Sequence, residues 1–300
     1  MQVSIIIPSF NTKGLLKKCL ASIFKETHKV KFEVIVVDNA SSDGSVEMVR
    51  KEFPKVELIE LDNNCGYGRA NNLGVRQAKG DWLLLLNSDT KIVEGAIDGI
   101  FRAISQGKFP VDDPVVGCKL VYPDHSFQQS AGYFPTLGRV IAMMLFLDDL
   151  PVLGQLFKSY QQSRPGFYRA GHEVDWVTGA FLLVKRKLFN SAGGFDENYF
   201  MYGEEVDFCY RLKKKGARVF YTPQTKVVHL KGGSSNQEFE SAVIGEFKGL
   251  VSFFKKHRSL WQAVLLKLVL KGGSLLRIGI FGIIDKRKRV AYEKALQAVK

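Results

Sequence analysis

Carboxylates that directly follow an apolar run are the first candidates for chemistry in this chain. Asp89 closes the tripeptide Asn87-Ser88-Asp89, which comes immediately after the leucine-rich run Trp82–Leu86. A carboxylate held at the carboxyl end of a buried strand can bind Mg²⁺ or Mn²⁺, since such ions take one or two carboxylates and use substrate phosphates as further ligands. The tripeptide is also good turn chemistry, so a purely structural turn stays open at this point.

A second carboxylate, Asp38, ends another β-branched run and suits a hydrogen bond from the ring N–H of a pyrimidine base. The serines between positions 41 and 45 could equally be the N-cap of the next helix. Arg69 follows two glycines and could neutralise a diphosphate or simply be a solvated helix charge. Those glycines do not follow the G-x-G-x-x-G spacing, which excludes a dinucleotide-binding Rossmann site.

Three further carboxylates, Glu204, Glu205 and Asp207, lie within four residues. The first turn of a helix favours carboxylates, so helix capping could account for one of them. Three together indicate like charges whose pKa values are pushed apart, as base catalysis requires. His229 ends a later strand, and only its neighbours in the fold can distinguish a metal ligand from a structural histidine.

The elements that must position these side chains follow a regular alternation. Over the first 90 residues, short apolar runs alternate with helix-like segments, which predicts an α/β fold with a mostly parallel central sheet and helices on both faces. Ligands of such sheets bind beyond the carboxyl ends of the strands. The predicted strands are Ser4–Ile7, Glu33–Val37, Val56–Leu61, Trp82–Leu86, Val115–Val121, Gly179–Val184, Val219–Tyr221 and Lys226–His229. The predicted helices are Leu15–Phe24, Ser45–Phe53, Arg69–Ala78, Glu94–Ser105 and Glu205–Lys215.

The pattern divides the chain into a catalytic domain over residues 1–244 and a tail over 245–300. Within the domain, residues 1–110 form the predicted nucleotide-binding half and residues 111–244 the acceptor and catalytic half. An acceptor-side insertion or lid is predicted near residues 136–170.

The tail carries most of the charge of the protein. The whole chain has a formal net charge of +13, and residues 245–300 hold 13 Lys and Arg against 3 Asp and Glu, a net charge of +10. Its cations interleave with Leu, Ile and Phe, which predicts amphipathic helices lying in the interface of an anionic membrane. This composition suits lipid better than the phosphate backbone of nucleic acid, and no nucleic-acid partner is expected.

The expected location is the cytoplasm, with the protein peripheral on the inner face of the cell membrane. The four cysteines show no C-x-x-C pair and no disulfide framework. The chain opens directly on a strand-like run, with no signal-peptide pattern ahead of it.

In chain order, these residues and their neighbours resemble the family-2 glycosyltransferases, most closely the bacterial rhamnosyltransferase-like branch. The likeness covers roughly residues 1–240. The motifs that carry it are Ser4–Asn11, Val36–Ser45, Asn64-x-Gly66, Asn71-Asn72, Asn87-Ser88-Asp89, Trp176-Val177-x-Gly179-Ala180, Gly194-Phe195-Asp196-Glu197, Glu204-Glu205-Val206-Asp207 with Arg211, and Val228-His229.

The resemblance implies a GT-A type nucleotide-diphospho-sugar transferase fold, a divalent metal, Mg²⁺ or Mn²⁺, and inversion at the anomeric carbon. It implies Asp89 and His229 as metal ligands, and Trp176 and Gly179 as acceptor-binding residues. The implied donor-binding residues are Pro8, Phe10, Asn11, Asp38, Arg69, Asn72, Asn87 and Ser88.

Two positions depart from the family pattern. Asn87 replaces the first carboxylate of the D-x-D-type metal motif, and Glu205 stands where the family has an aspartate as catalytic base. Glu205 is therefore the predicted base, with Glu204 and Asp207 as alternatives. The implied donor is a dTDP- or UDP-sugar, dTDP-rhamnose first, and the acceptor is a lipid-linked or cell-surface glycan.

Two other functions compete with sugar transfer at this stage. A nucleotidyltransferase would use a similar sheet and metal, but it should show a Gly-rich, basic phosphate loop after the first strand, where Pro8–Asn11 stands instead. A non-catalytic relative that binds membrane or nucleic acid would fit the basic tail. Carboxylates at three separate strand or helix ends argue against such a loss of catalysis.

Overall fold

A computed structural model describes residues 2–148, 150, 158–230 and 236–299. Part of the predicted insertion, residues 149 and 151–157, lies outside the described residues. The same is true of residues 231–235, which include the Gly-Gly-Ser-Ser segment after His229.

The described chain alternates strands and helices through most of its length. The strands are β1 Val3–Ser9, β2 Phe32–Asp38, β3 Glu57–Glu60, β4 Trp82–Leu86, β5 Thr90–Ile92, β6 Val115–Val121, β7 Phe127–Gln128, β8 Ala131–Gly132, β9 His172–Val174, β10 Trp176–Val177, β11 Phe181–Lys185 and β12 Val219–His229. The α-helices are α1 Lys13–Glu26, α2 Ser45–Glu52, α3 Tyr67–Gln77, α4 Ala96–Ser105, α5 Leu137–Met144, α6 Arg186–Ser191, α7 Glu204–Lys214, α8 Asn236–His257, α9 Leu260–Ile284 and α10 Lys286–Ala298.

The central sheet has the strand order β3-β2-β1-β4-β11-β6-β12-β5. β3, β2, β1 and β4 are parallel to one another, and β6 and β12 form a second parallel pair. β11 runs antiparallel between β4 and β6, and β5 runs antiparallel to β12. The predicted α/β fold with a mostly parallel sheet is confirmed. The direction of β11 was not predictable, since an apolar run looks the same in either direction.

Successive strand residues pack into two cores, one on each face of the sheet. Ile5 and Ile7 of β1 join the core beneath α1 and α4, whereas Ile6 joins the core beneath α3, α7 and α8. This alternation follows from the two-residue repeat of a strand. It explains why the Ile5–Ile7 run of β1 and the whole of β4 are apolar and buried on both sides.

The structure corrects the prediction of two separate strands at Val219–Tyr221 and Lys226–His229. They form one strand, β12, whose pairing with β6 shifts register between Thr222 and Lys226. Pro223 lies within that interruption. A proline cannot donate a ladder hydrogen bond, so the sequence suggested an end where the strand only bulges.

The predicted boundary at residue 245 falls inside α8. Phe247, Leu250, Phe253 and Phe254 of this helix are almost fully buried in the same core as α7. The first helix of the tail therefore completes the catalytic domain. Its aromatic residues anchor it to the domain rather than to a membrane.

The expected C-terminal helices are present as α8, α9 and α10. Within the described residues, no helix combines the length and the apolarity that crossing a membrane requires.

Candidate active site

The carboxyl ends of β1 and β2 bring four of the predicted donor-binding residues together. Ser9 lies opposite Asp38 in the strand register, so Pro8, Phe10 and Asn11 share one edge of the sheet with Asp38. The Asn11 side-chain oxygen accepts from the Ser42 N–H at 2.8 Å, which fixes the two loops against each other.

Asp38 is buried at this edge and only half satisfied. Its Oδ1 accepts from the Ser41 N–H at 2.8 Å, while its buried Oδ2 accepts no hydrogen bond within the described chain. A buried oxygen without a donor costs about 1–3 kcal/mol, which a ligand N–H can recover. The serines therefore form the turn after β2, and one buried oxygen of Asp38 is left without a donor from the described chain.

The Asn87-Ser88-Asp89 turn lies next to this edge. The Ser88 hydroxyl lies 3.0 Å from the Thr12 hydroxyl, which in turn lies 2.9 Å from that of Ser9. The Thr90 N–H donates to the Asn87 carbonyl oxygen at 3.2 Å and closes the turn. The tripeptide thus forms a turn, and the contacts of Asn87 and Ser88 hold Asp89 in place.

The structure places His229 against Asp89. The His229 Nε2 lies 3.1 Å from the Asp89 Oδ1 and 3.4 Å from the Asn87 Nδ2. Nδ1, on the other side of the ring, lies 2.9 Å from the Gln128 Oε1. The neighbours of His229 in the fold are therefore Asp89 and Asn87 on one side of the ring and Gln128 on the other.

These residues fit a divalent cation that shares its ligands with a substrate. Among the described residues no group of three or more His, Cys, Asp and Glu side chains could hold a metal. One carboxylate oxygen and one imidazole nitrogen face each other, and Mg²⁺ and Mn²⁺ need few protein ligands when phosphates supply the rest. A cation held by Asp89 and His229 therefore depends on a bound diphosphate.

The pair Glu204 and Glu205 begins α7 after a tight turn. Tyr202 and Gly203 both have positive φ, 71° and 94°. The Glu205 Oε2 accepts from the Gly203 N–H at 3.2 Å, while the buried Glu204 Oε2 accepts no hydrogen bond in the described structure. Burial raises the pKa of Glu204 well above its ordinary value, and the charge of Glu205 raises it further. Burial also raises the pKa of Glu205.

Tyr67 lies near both the glutamate pair and Asp89. Its hydroxyl donates to the Gly179 carbonyl oxygen at 2.7 Å. Burial raises the pKa of Tyr67 well above its ordinary value. The nearby carboxylates of Glu204, Glu205 and Asp89 raise it further. The charges of all three carboxylates act on Tyr67, so the glutamate pair and Asp89 lie near this one side chain.

Asp207, the second alternative base, is held in ion pairs between α7 and α8. Its side chain is fully buried, with Arg211 at 2.7 Å, Lys256 at 2.9 Å and His257 at 2.6 Å. Burial by itself would raise the pKa of Asp207, but Arg211, His257 and Lys256 together hold it below its ordinary value. Asp207 therefore joins α7 to the end of α8.

Replacing Asp207 with asparagine should lower the free energy of unfolding by about 3 kcal/mol, because it leaves the mostly buried Arg211 guanidinium without its carboxylate. Since the folded pKa is depressed, the contribution is complete above the unfolded pKa of about 3.9 and is lost as pH falls through the folded value. Urea unfolding at pH 7 measures the loss. Glu52→Gln, which breaks the exposed pair with Lys17, should cost less than about 1 kcal/mol. Equal effects of the two substitutions would contradict the structural role of Asp207.

Two residues predicted to bind the donor are engaged elsewhere. The Asn72 amide both donates to and accepts from the Phe195 backbone at 2.9 Å, so it fastens the 193–196 turn to α3. Arg69 lies 3.5 Å from Glu197 on an exposed surface. In this structure the Asn72 amide is therefore used by the 193–196 turn, and Arg69 has a carboxylate partner.

The two predicted acceptor-binding residues, Trp176 and Gly179, are packed inside the fold. Trp176 is buried, and its indole N–H donates to the Tyr133 carbonyl oxygen at 3.2 Å. A Cβ at Gly179 would lie 2.6 Å from the Tyr67 hydroxyl. Trp176 therefore belongs to the core, and Gly179 leaves room for Tyr67.

Sequence reasoning missed Tyr67 and Gln128. Tyr67 lies between the two glycines that suggested a phosphate loop, and a Cβ at Gly66 would lie 2.3 Å from the Phe200 carbonyl oxygen. Those glycines serve close packing rather than phosphate binding. Gln128 lies in a two-residue strand with no sequence signal, beside a cavity of about 430 Å³ that it lines with His229 and Thr178.

Solved structures share the fold. A mannosyltransferase from Pyrobaculum calidifontis, in complex with GDP-Man and Mn²⁺, matches with a TM-score of 0.58 and 19% identity over 99% of this chain and 85% of that one. TarS residues 1–349 from S. aureus in complex with UDP match with a TM-score of 0.55 and 15% identity over 100% and 88%. The expected GT-A fold is confirmed.

Sequence relatives agree with this result. An N-acetylglucosaminyl-diphospho-decaprenol L-rhamnosyltransferase from Mycobacterium tuberculosis is 31% identical over 273 residues, 87% of each chain. The rhamnosyltransferase WbbL from Escherichia coli is 24% identical over 266 residues, 86% of this chain and 94% of that one. The model of the family described as glycosyl transferase family 2 matches residues 4–188. The nucleotidyltransferase and non-catalytic alternatives are set aside, and the chain belongs to glycosyl transferase family 2.

Proposed function

We propose that this glycosyltransferase moves a hexose, rhamnose before others, from a dTDP- or UDP-sugar to a hydroxyl of a lipid-linked glycan. The observation that carries the proposal is the placement of three features: the half-satisfied Asp38 at the end of β2, the Asp89–His229 pair after β4 and the Glu204–Glu205 pair at the start of α7. The M. tuberculosis and E. coli relatives, both named rhamnosyltransferases, favour rhamnose. The name of the first favours an acceptor on a polyprenyl diphosphate.

Asp38 would select the base of the donor. Its buried Oδ2 needs a donor, and the ring N–H of uracil or thymine supplies one. Phe10, with its exposed ring, lies beside it on the same loop. Pro8, Asn11 and Ser88 would then line the donor side of the cleft.

Asp89 and His229 would hold a divalent cation together with the diphosphate of the donor. Such a cation, when bound, supplies positive charge that stabilises the departing diphosphate. Asn87 provides an amide beside His229 where the D-x-D-type motif has a carboxylate. The protein therefore supplies a single carboxylate at this position.

Glu205 would act as the general base in a single displacement. Its carboxylate removes the proton of the acceptor hydroxyl while the oxygen forms a bond to the anomeric carbon. The bond between that carbon and the diphosphate oxygen breaks, and the configuration inverts. A raised pKa suits this role, because a more basic carboxylate removes a proton more effectively near neutral pH.

Calorimetric titration with dTDP, UDP, GDP and NAD, each with and without Mn²⁺, tests the donor proposal. We expect metal-dependent binding of dTDP or UDP and no binding of NAD. Binding of GDP alone would overturn the pyrimidine assignment of Asp38. Failure of all four ligands to bind would overturn the proposed donor class.

The second part of the proposal is that α9 binds an anionic membrane surface, which would bring the cleft to a lipid-linked acceptor on the cytoplasmic face. One side of α9 is buried through Leu266, Leu270 and Arg277. The opposite side is exposed and mostly apolar along the helix: Trp261, Val264, Leu265, Leu268, Leu275, Leu276 and Ile283.

Charge complementarity favours lipid over another protein as the occupant of this face. The exposed cations Lys286, Arg287, Lys288 and Arg289 begin α10 directly after α9. Each cation near an anionic surface contributes about 1 kcal/mol. An apolar helix face with adjoining cations is the pattern of helices that lie in the membrane interface.

Vesicles containing phosphatidylglycerol should bind the protein and shift its tryptophan emission to shorter wavelength. Trp82 and Trp176 are 5% and 6% exposed and Trp261 is 63% exposed, so the shift reports on α9. Leu268→Glu with Leu275→Glu should abolish co-sedimentation without unfolding the chain. Lys18→Gln with Lys25→Gln changes the net charge equally on the exposed side of α1 and should have little effect. If both double variants lose co-sedimentation equally, charge alone accounts for the membrane contact. If the Leu268/Leu275 variant still binds fully, the exposed face of α9 is not the membrane-binding surface.

A further inference from the structure

We propose that Gln128 is a positioning residue that holds the His229 ring through Nδ1, so that Nε2 points at Asp89 and can bind a cation there. This inference rests on the proposed cation at Asp89 and His229. It assigns a role to a residue that belongs to neither the donor site nor the glutamate pair.

The fold brings Gln128 to His229 through two strand pairings. Gln128 lies opposite Leu120 of β6, and β6 pairs with β12, which ends at His229. Gln128 is only 8% exposed. Its Oε1 lies 2.9 Å from the His229 Nδ1, on the side of the ring away from Asp89. The contact is therefore held by the sheet rather than by a surface loop.

Both ring nitrogens of His229 face oxygen acceptors, the Gln128 Oε1 and the Asp89 Oδ1. A neutral imidazole has one N–H and one lone pair, and an amide oxygen can only accept a hydrogen bond. When Nε2 gives its lone pair to a cation, the single N–H lies on Nδ1, where the Gln128 Oε1 accepts it.

Partners that hold the far nitrogen of a ligating histidine commonly set both its tautomer and its orientation. Gln128 thus holds the ring with Nε2 directed at Asp89 and stabilises the tautomer that a cation on Nε2 requires.

Mn²⁺ binding to the full chain, measured by electron paramagnetic resonance with saturating dTDP or UDP, tests this role without an activity assay. Gln128→Leu should weaken Mn²⁺ binding about 10- to 100-fold, the usual effect of losing an outer-shell partner. Gln128→Glu, which keeps an acceptor in the same place, should retain wild-type affinity. Gln129→Leu makes the same change at the neighbouring exposed glutamine and should leave Mn²⁺ binding unchanged.

Wild-type affinity in Gln128→Leu would overturn the inference while leaving the proposed function intact. If the wild-type protein binds no Mn²⁺ with either nucleotide, the proposed metal site itself fails. The ¹⁵N chemical shifts of the His229 ring at pH 8, identified by comparison with His229→Gln, give an independent decision if Gln128→Leu does not fold. With Mg²⁺ and the nucleotide bound, a proton on Nδ1 supports the inference, and a proton retained on Nε2 contradicts it.

Discussion

Replacing Glu205 with glutamine should lower turnover by about 10²- to 10⁴-fold, the usual contribution of a general base. Glutamine keeps the shape of the side chain and removes its basicity. Donor binding should be retained, because the nucleotide edge at Asp38 and the Asp89–His229 pair lie on other elements. Steady-state kinetics and calorimetric titration with the nucleoside diphosphate separate the two effects.

The pH profile gives this prediction a second readout. A base must be deprotonated, so turnover should rise with pH through the pKa of Glu205. Because burial raises that pKa above 4.5, the acid limb should lie above pH 4.5 in the wild-type enzyme and disappear from the residual activity of Glu205→Gln.

Glu204→Gln is the matched comparison, since it makes the same change one residue earlier in the same turn. We expect a smaller loss of turnover than for Glu205→Gln. A larger loss would transfer the base role to Glu204. Near-normal turnover in both variants would remove the pair from catalysis.

Replacing Asp89 with alanine should abolish the metal dependence of donor binding. Asp89 is the carboxylate that faces His229, and the described residues contain no cluster of three or more potential ligands to compensate. The loss of Mn²⁺ affinity should exceed the roughly 10- to 100-fold expected for an outer-shell residue such as Gln128. Mn²⁺ titration in the presence of the nucleotide measures it.

Asp112→Ala is the control for this substitution, because it removes an exposed carboxylate from the loop before β6. It should leave the Mn²⁺ titration unchanged. An unchanged titration in Asp89→Ala would contradict the assignment of Asp89 as a ligand. The Mn²⁺ would then be bound by the donor diphosphate without Asp89.

The sequence predicted the parts of the fold that depend on local pattern. β6 was predicted with its observed bounds, and β1, β2 and β4 were found because each is a short apolar run that ends in polar residues. Two features depended on long-range pairing and were not predictable: the antiparallel insertion of β11 between β4 and β6, and the continuity of β12 across Pro223.

The site was predictable where a residue type had one evident use, and uncertain where it had several. Asp38 and Asp89 follow strands, and the structure has Asp38 at the end of β2 and Asp89 in the turn after β4. Asp207 shares the acidic cluster of Glu204 and Glu205, but its direction depends on Lys256 and His257, about 50 residues later in the chain. The contacts of Asn72 with the Phe195 backbone were not predictable, because an amide can bind a backbone as readily as a ligand.

The stereochemistry of transfer tests the proposed single displacement most directly. The protein, Mn²⁺ and dTDP-rhamnose would be incubated with N-acetylglucosaminyl-diphospho-polyprenol, with UDP-hexoses and GDP-mannose as comparison donors. The one-bond C–H coupling at the anomeric carbon of the product identifies its configuration. We expect transfer of rhamnose with the anomeric configuration inverted relative to the donor. Retention of configuration, or no transfer from any of these donors, would contradict the proposed single displacement in this cleft.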